Sequence, residues 1–352
     1  MSKFFAKELS RLVPYTPGEQ LSDKKYVKLN TNESPYPPSP KALQAVNSEK
    51  LNSLKLYSDP TADVLHGAIA DFYRVKKENV IASNGSDEVL AFIFRAFCDG
   101  FKGMVFPDVT YGFYTVFCDL FGIRYRQIPL DENFDVRVED YYETEENVVL
   151  ANPNAQTGKF LGLDKIEKLL QSNRERVVVI DEAYVDFGGE SAVGLIGKYD
   201  NLIVVRTFSK SRNLAGLRVG FAIANEKLIV DVNTVKYSFN PYNVGTLGQT
   251  IAAESVKDVE YFKECTARII QSREYLTKEL TLRGFNVVPS LTNFILAESP
   301  KLSGKELYLR LKDKGILVRY LGIKRIENFV RITIGSDEDV KKLIKSIDEI
   351  TE

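Results

Sequence analysis

Three apolar segments of this chain run straight into polar clusters whose residue types could do chemistry. Asn147-Val-Val-Leu-Ala151 leads into Asn152-Pro-Asn154-Ala-Gln-Thr-Gly158-Lys159, and Arg176-Val-Val-Val-Ile180 leads into Asp181-Glu182-Ala183-Tyr184. Asn201-Leu-Ile-Val-Val205 leads into Arg206-Thr-Phe-Ser209-Lys210-Ser211-Arg212. In an open α/β sheet, ligands sit beyond the carboxyl ends of the strands, so a site is expected where these clusters meet. Lys210 lies between two serines and close to two arginines, where neighbouring cations depress an amine's pKa and make it a nucleophile. Each cluster also has a plain structural reading: Asn-Pro-Asn as a turn, the lysine as a solvated charge, Asp181-Glu182 as the metal-holding acids of a nucleotide hydrolase. The hydrolase reading lacks its phosphate cradle, because Gly158-Lys159 is followed by Phe160 and no G-x-G-x-x-G follows a strand.

The elements that must position these clusters alternate in type. Helical spacing over 62–74, 86–98 and 111–121 is interleaved with short apolar strands at 79–82, 103–106 and 124–128, before the three strands above and an expected antiparallel neighbour at 219–224. Fully apolar, β-branched strands separated by amphipathic helices predict a mostly parallel seven-stranded sheet in an α/β/α sandwich. Residues 1–40, rich in proline, read as an arm lying on something else. The texture changes after about residue 245, where a long helical segment (246–283) precedes strands at 285–289, 293–297, 316–319 and 329–334. The expected organisation is an arm (1–40), a large domain (41–245) and a smaller α+β C-terminal domain (246–352) that the arm joins.

Composition narrows the chemistry. With 47 Lys and Arg against 48 Asp and Glu, the chain has no overall field to draw in nucleic acid. Its apolar runs, such as Val89–Phe94, are far short of the roughly 20 residues of a membrane span. The N-terminus lacks an apolar secretory core, and the three cysteines, Cys98, Cys118 and Cys265, are widely spaced with no C-x-x-C, so a reduced, cytoplasmic protein is expected. The single histidine, His66, sits in helical apolar spacing without a cysteine or carboxylate cluster, which removes His-based metal sites and the Ser-His-Asp triad; no metal is expected. Acid–base work must fall to Lys, Tyr, Asp or a cofactor. A lysine able to bond a carbonyl carbon, an aspartate able to keep a pyridinium nitrogen charged, and Tyr and Asn donors for a phenolate are together what pyridoxal phosphate requires.

Further stretches carry a resemblance. Lys28-Leu-Asn-Thr-Asn-Glu-Ser-Pro-Tyr36, Leu56-Tyr57-Ser-Asp-Pro-Thr-Ala-Asp63, Asn84-Gly-Ser-Asp-Glu-Val-Leu90 and Phe106-Pro-Asp-Val-Thr-Tyr111, then the three clusters above, Gly216-Leu-Arg218 and Arg331-Ile-Thr-Ile-Gly335, span nearly the whole chain in order. The set resembles the histidinol-phosphate aminotransferases, among the fold type I pyridoxal-phosphate enzymes. The resemblance implies transfer of an amino group between glutamate and imidazole-acetol phosphate by a ping-pong mechanism, in histidine biosynthesis, with 2-oxoglutarate as the glutamate product.

The roles it implies are specific. Lys210 would hold the cofactor and move the proton, Asp181 would pair with the ring nitrogen, and Asn152 and Tyr184 would bond the ring hydroxyl. Tyr111 would stack on the ring. Gly85, Ser86 and Asp87 at a helix start, with Ser209, Arg218 and Tyr57 from a partner subunit, would cradle the cofactor phosphate, which implies a homodimer with shared sites. Arg331 and Arg319 would bind the anionic ends of the substrates, while Tyr15 and Asn32 would close over them. Two departures stand out: Gln156 replaces the proline usual in Asn-Pro-Asn-x-Pro-Thr-Gly, and Gly245-Thr246 stands where relatives often carry an Asn-Arg or Asp-Arg pair. Branches that transaminate dihydroxyacetone phosphate or decarboxylate an amino-acid phosphate share nearly all of the cofactor motifs.

Overall fold

A computed structural model describes every residue except Met1, Arg11, Ser22 and Glu352. Strand β1 (Val27–Lys28) lies in the arm. The large sheet comprises β2 (Val80–Ser83), β3 (Met104–Pro107), β4 (Tyr125–Ile128), β5 (Asn147–Ala151), β6 (Val178–Asp181), β7 (Leu202–Thr207) and β8 (Gly220–Ala224). Its order is β2-β8-β7-β6-β5-β3-β4, with β8 antiparallel to both neighbours and every other pairing parallel. The seven-stranded, mostly parallel sheet predicted from the apolar runs is therefore present. Except for the last residue of β7, every residue of β2, β3, β5, β6, β7 and β8 is buried. Only the edge strand β4 exposes its first three residues.

The pleat sends alternate side chains into two different cores. Val149, Val179, Ile203 and Val205 pack on one face, and Val148, Leu150, Val178, Ile180, Leu202 and Val204 on the other. The first core continues without a break into the C-terminal part through Phe294, Ile295, Leu307, Val330 and Leu343. That part is a four-stranded antiparallel sheet, order β12-β13-β10-β9, built from β9 (Asn286–Val288), β10 (Phe294–Glu298), β12 (Arg319–Tyr320) and β13 (Phe329–Thr333). Between them, β11 (Ile316–Leu317) leaves the sheet to pair in parallel with β1, so the arm is stitched to the C-terminal part by backbone hydrogen bonds.

Two expectations change. The long helical segment is two helices, Thr246–Lys257 and Val259–Leu282, separated by Asp258 at φ −85° and ψ 71°. Aspartate is a poor interior helix residue, and here its carboxylate accepts from Ser39 Oγ at 2.5 Å, which anchors the break. The single strand expected at 316–319 is split between two sheets, β11 and β12. The cysteines are free and buried. His66 Nε2 accepts the backbone N–H of Ala82 at 3.0 Å, and burial pushes its pKa down to about 4, which fits a neutral, structural imidazole. Among the described residues no helix is long and apolar enough to cross a membrane.

Candidate active site

Strands β5, β6 and β7 end side by side, and the loops that follow them enclose a cavity of about 380 Å³. Asp181 is the last residue of β6 and lies at the cavity wall, 4% exposed. Burial pushes its carboxyl up to about 6, against the hydrogen bond from Tyr114 Oη at 2.8 Å and the Ala183 N–H at 3.2 Å. Lys210 follows β7 and lies across the cavity, its Nζ 5.8 Å from the centre of the Tyr184 ring and 3.3 Å from the Thr31 carbonyl oxygen. Burial, reinforced by the Arg331 charge, lowers its pKa to about 8. A near-neutral amine and a buried acid in one polar cavity are a functional arrangement rather than a packing one.

Tyr184 accepts a hydrogen bond on its hydroxyl from Asn32 Nδ2 at 3.1 Å. Asn32 is 1% exposed and is itself fixed by Thr333, which donates to its Oδ1 at 3.0 Å, and by Asn293, which donates to its carbonyl. Asn32 thus orients the tyrosine from the arm. Tyr15 stacks on Phe113 with ring centres 4.4 Å apart, next to Tyr111.

The other end of the cavity offers hydrogen-bond donors. The helix Ser86–Phe97 starts there, with Ser86 and Asp87 in the wall and Gly85 at φ 89° as its N-cap. A Cβ at Gly85 would lie 2.7 Å from Arg218 Nη2, and one at Gly220 would lie 2.2 Å from the Ser86 backbone nitrogen, so both glycines allow this close approach of chains. Arg218 contacts Ser209 Oγ at 3.5 Å and Asp87 at 3.1 Å, and Tyr111 donates to the other Asp87 oxygen at 2.6 Å. Backbone N–H groups, the helix dipole and a guanidinium together make a phosphate-sized anion site. Burial, followed by the Asp87 charge, raises the Tyr111 pKa well above its ordinary value.

Two predicted residues, Asn152 and Arg319, stand elsewhere than expected. Asn152 does not face the cavity: its Nδ2 donates to the Leu161 carbonyl at 2.9 Å and its Oδ1 accepts from the Leu161 N–H at 2.8 Å, while Ala155 lines the wall instead. Its Oδ1 and one Nδ2 hydrogen brace the turn, and Asn152 is not among the residues that line the cavity. Arg319 points its two Nη groups at the carbonyls of Pro17 and Thr16, at 3.0 and 2.8 Å, and so fastens the arm. Tyr57 is 83% exposed and stacks on Tyr242 with ring centres 4.7 Å apart, away from the cavity of its own chain.

Arg331 is partly buried at the edge of the site. Its Nη1 donates to the Ala155 carbonyl at 3.1 Å and to Gln156 Oε1 at 2.8 Å; its buried Nε has no partner, and among the described residues no carboxylate pairs with it. Residues that the sequence reading passed over support the rest. Tyr114 fixes Asp181, and Arg206 joins Glu182 at 2.9 Å and Asp186 at 2.5 Å, with Ser211 bonding Asp186. Tyr114 stands one helical turn after Tyr111, a spacing that could have pointed to it; the Arg206 network joins residues far apart in sequence.

The cavity fits pyridoxal phosphate. It offers an amine with few competing bonds, a buried carboxylate, a phenol, and a helix start with Ser209 and Arg218 as donors for phosphate.

The comparisons agree with this chemistry. Residues 24–347 match the family described as aminotransferase class I and II. A histidinol-phosphate aminotransferase of Clostridium botulinum strain 657 is 45% identical over 350 residues, 99% of either chain. One from Pseudomonas putida is 47% identical over 347 residues, covering 99% of this chain and 100% of its own. Among solved structures, histidinol-phosphate aminotransferase from Sinorhizobium meliloti in complex with pyridoxal-5'-phosphate shares the fold with a TM-score of 0.88 at 23% identity, covering 99% of this chain and 98% of its own. The enzyme of that name from Clostridium acetobutylicum has a TM-score of 0.84 at 24% identity, over 92% of this chain and 98% of that one. The chain belongs to the histidinol-phosphate aminotransferases, pyridoxal-phosphate enzymes of the class I and II aminotransferase family with the type I fold.

Proposed function

We propose that this chain transfers the amino group of glutamate to imidazole-acetol phosphate, and the reverse, working as a cytoplasmic homodimer. The observation that carries the substrate reading is Arg331: a partly buried guanidinium beside the Lys210 cavity, with an orphaned Nε and no carboxylate partner among the described residues. Such a group calls for an anionic ligand, since leaving it unpaired is costly. Its planar fork takes a carboxylate or a phosphate, and so serves both substrates of an exchange between an acidic amino acid and a phosphorylated ketone.

When bound, pyridoxal phosphate supplies an electron-withdrawing ring that absorbs the charge left as the substrate α-carbon loses its proton. The rest is the work of the chain. Lys210 Nζ would hold the cofactor and, with burial bringing its pKa down to about 8 so that about half of it is neutral at pH 8, would take and return the proton at the α-carbon. Asp181 would pair with the ring nitrogen, where a cation would favour its ionised form over the neutral form that burial alone promotes. Tyr184, oriented by Asn32, would donate to the ring hydroxyl. Ser86, Ser209 and Arg218 would hold the cofactor phosphate, with Tyr57 of the other subunit. The arm carrying Tyr15 keeps water out.

Protein loaded with the cofactor should absorb in the visible range, and borohydride should fix the cofactor to Lys210. Histidinol phosphate should be consumed with 2-oxoglutarate, and Lys210→Ala should abolish turnover while leaving the fold intact. A preference for serinol phosphate, or for unphosphorylated phenylalanine or tyrosine, would move the substrate reading elsewhere and leave the cofactor reading standing.

A further inference from the structure

We infer that Gln156 is a positioning residue that sets Arg331 for anion binding, an inference that rests on the reading of Arg331 as the site of the substrate's anionic group. The two side chains come from distant parts of the chain, the loop after β5 and strand β13, and meet at the cavity edge. Gln156 Oε1 and the Ala155 carbonyl both take Nη1, at 2.8 and 3.1 Å. No described residue bonds Nη2, and the buried Nε has no partner. The guanidinium is thus held by one corner, and the edge formed by Nε and Nη2 is left free. That edge carries two parallel N–H groups, the geometry that binds a carboxylate or phosphate bidentately.

The clamp itself is rigid. Asn154 Oδ1 accepts the N–H groups of Gln156 and Thr157, at 2.9 and 3.2 Å, and Asn154 Nδ2 donates to the Val109 carbonyl at 3.0 Å. Gly158, at φ 79°, lies where a Cβ would come within 2.3 Å of Ser290 Oγ, and its carbonyl accepts from the Leu291 N–H at 2.9 Å. Gln156 itself is 7% exposed. A backbone pinned on both sides of Gln156 limits what its side chain must search, which lowers the entropic cost of holding the arginine, as preorganisation of a binding group requires. Proline at this position would supply no acceptor, so in this chain the task falls on a residue that the usual motif lacks.

The test uses the cofactor-loaded enzyme and its Gln156→Met variant, which keeps the side-chain volume and removes the acceptor; Gln156→Ala serves if methionine does not pack. Succinate binding is measured by titration calorimetry, and the glutamate half-reaction by the visible absorbance of the cofactor. The clamp predicts that Gln156→Met raises the Kd for succinate and the KM for glutamate by about tenfold, with kcat at saturation within about twofold and the melting temperature unchanged. Gln156→Glu should weaken succinate further, because a resident carboxylate neutralises the same cation. Unchanged or tighter succinate binding in Gln156→Met overturns the clamp, as would wild-type affinity in Gln156→Glu. Arg331→Leu separates the two readings. If it leaves succinate affinity untouched, the assignment of Arg331 itself falls; if it abolishes binding while Gln156→Met does nothing, only the clamp falls.

Discussion

Arg319 and Arg331 are directly paired residues of the antiparallel strands β12 and β13. Like charges directly opposite on one sheet face are destabilising, so each needs its own relief. Arg319 finds it in the Thr16 and Pro17 carbonyls of the arm, Arg331 in the Ala155 carbonyl and Gln156. An anion bound by Arg331 would screen the pair, and the arm tied down by Arg319 also carries Tyr15, which lies against Phe113 at the site. Substrate charge and arm closure are thereby linked through one cross-strand pair.

Arg319→Ala should therefore act through the arm. We expect faster limited tryptic cleavage at Lys24 and Lys25 and a KM for the phosphorylated substrate raised by roughly fivefold, whereas Arg331→Ala should lower kcat/KM by roughly a hundredfold, about 2.7 kcal/mol of transition-state binding. Unchanged proteolysis of Arg319→Ala alongside a large KM effect would mean that Arg319 binds the substrate itself.

Asp181→Asn should separate activity from stability. Turnover should fall by at least about a hundredfold, because a neutral amide does not balance a cationic ring nitrogen. Without cofactor the same change should stabilise the protein. The folded carboxyl titrates at about 6 against an ordinary 3.8, so folding favours its protonated form. The native state is at no disadvantage below about pH 4, and the penalty grows as pH rises through 6, reaching about 2–3 kcal/mol at pH 7–8. Urea unfolding of the two apoproteins should differ by that much at pH 7.5 and converge at pH 4.

Much of this was legible in the sequence, for a physical reason. Central parallel strands are buried on both faces and so read as unbroken apolar runs, and the site follows from them because Asp181 and Lys210 sit at or just beyond strand ends. What could not be read depends on which way a side chain turns. Asn152 and Ala155 are three residues apart in one turn, and only the fold decides that the alanine lines the cavity while the asparagine bonds Leu161. Arg319 looks like an anion-binding residue until the arm carbonyls are seen to occupy it. The break at Asp258 depends on Ser39, more than two hundred residues away, a contact that no local periodicity encodes.

The buried Arg206 should be structural first. It holds Glu182 and Asp186 together beneath the cavity; burial raises the Glu182 pKa, while in Asp186 the pull of Arg206 and the Ser211 bond outweigh burial and lower it. Arg206→Met strands two buried carboxylates, a loss of about 3–5 kcal/mol. Because these acids can then be neutralised by protonation, the deficit in urea unfolding should shrink from pH 7.5 to pH 5. An equal deficit at both values would assign the cost to packing rather than to charge.

Tyr57 provides the test of a shared site. Its loop is exposed yet held firmly: Lys236 Nζ donates to the Pro60 carbonyl at 2.9 Å and Gln249 Nε2 to the Asp59 carbonyl at 2.7 Å. Leu56, its chain neighbour, and Phe239, three residues before its stacking partner Tyr242, are 66% and 76% exposed, apolar surface suited to a second copy of the chain. If Tyr57 reaches the partner's cofactor phosphate, Tyr57→Phe should loosen cofactor binding by about tenfold, the loss of one hydrogen bond to a charged group. A heterodimer of Tyr57→Phe and Lys210→Ala subunits then has one site with both lesions and one with neither. Random reassembly makes half of the dimers heterodimers, so at a cofactor concentration too low to fill the Tyr57→Phe homodimer, activity should return to about a quarter of wild type. Were Tyr57 to serve its own subunit, no mixture would contain an intact site with full affinity, and activity would stay at the average of the two parents.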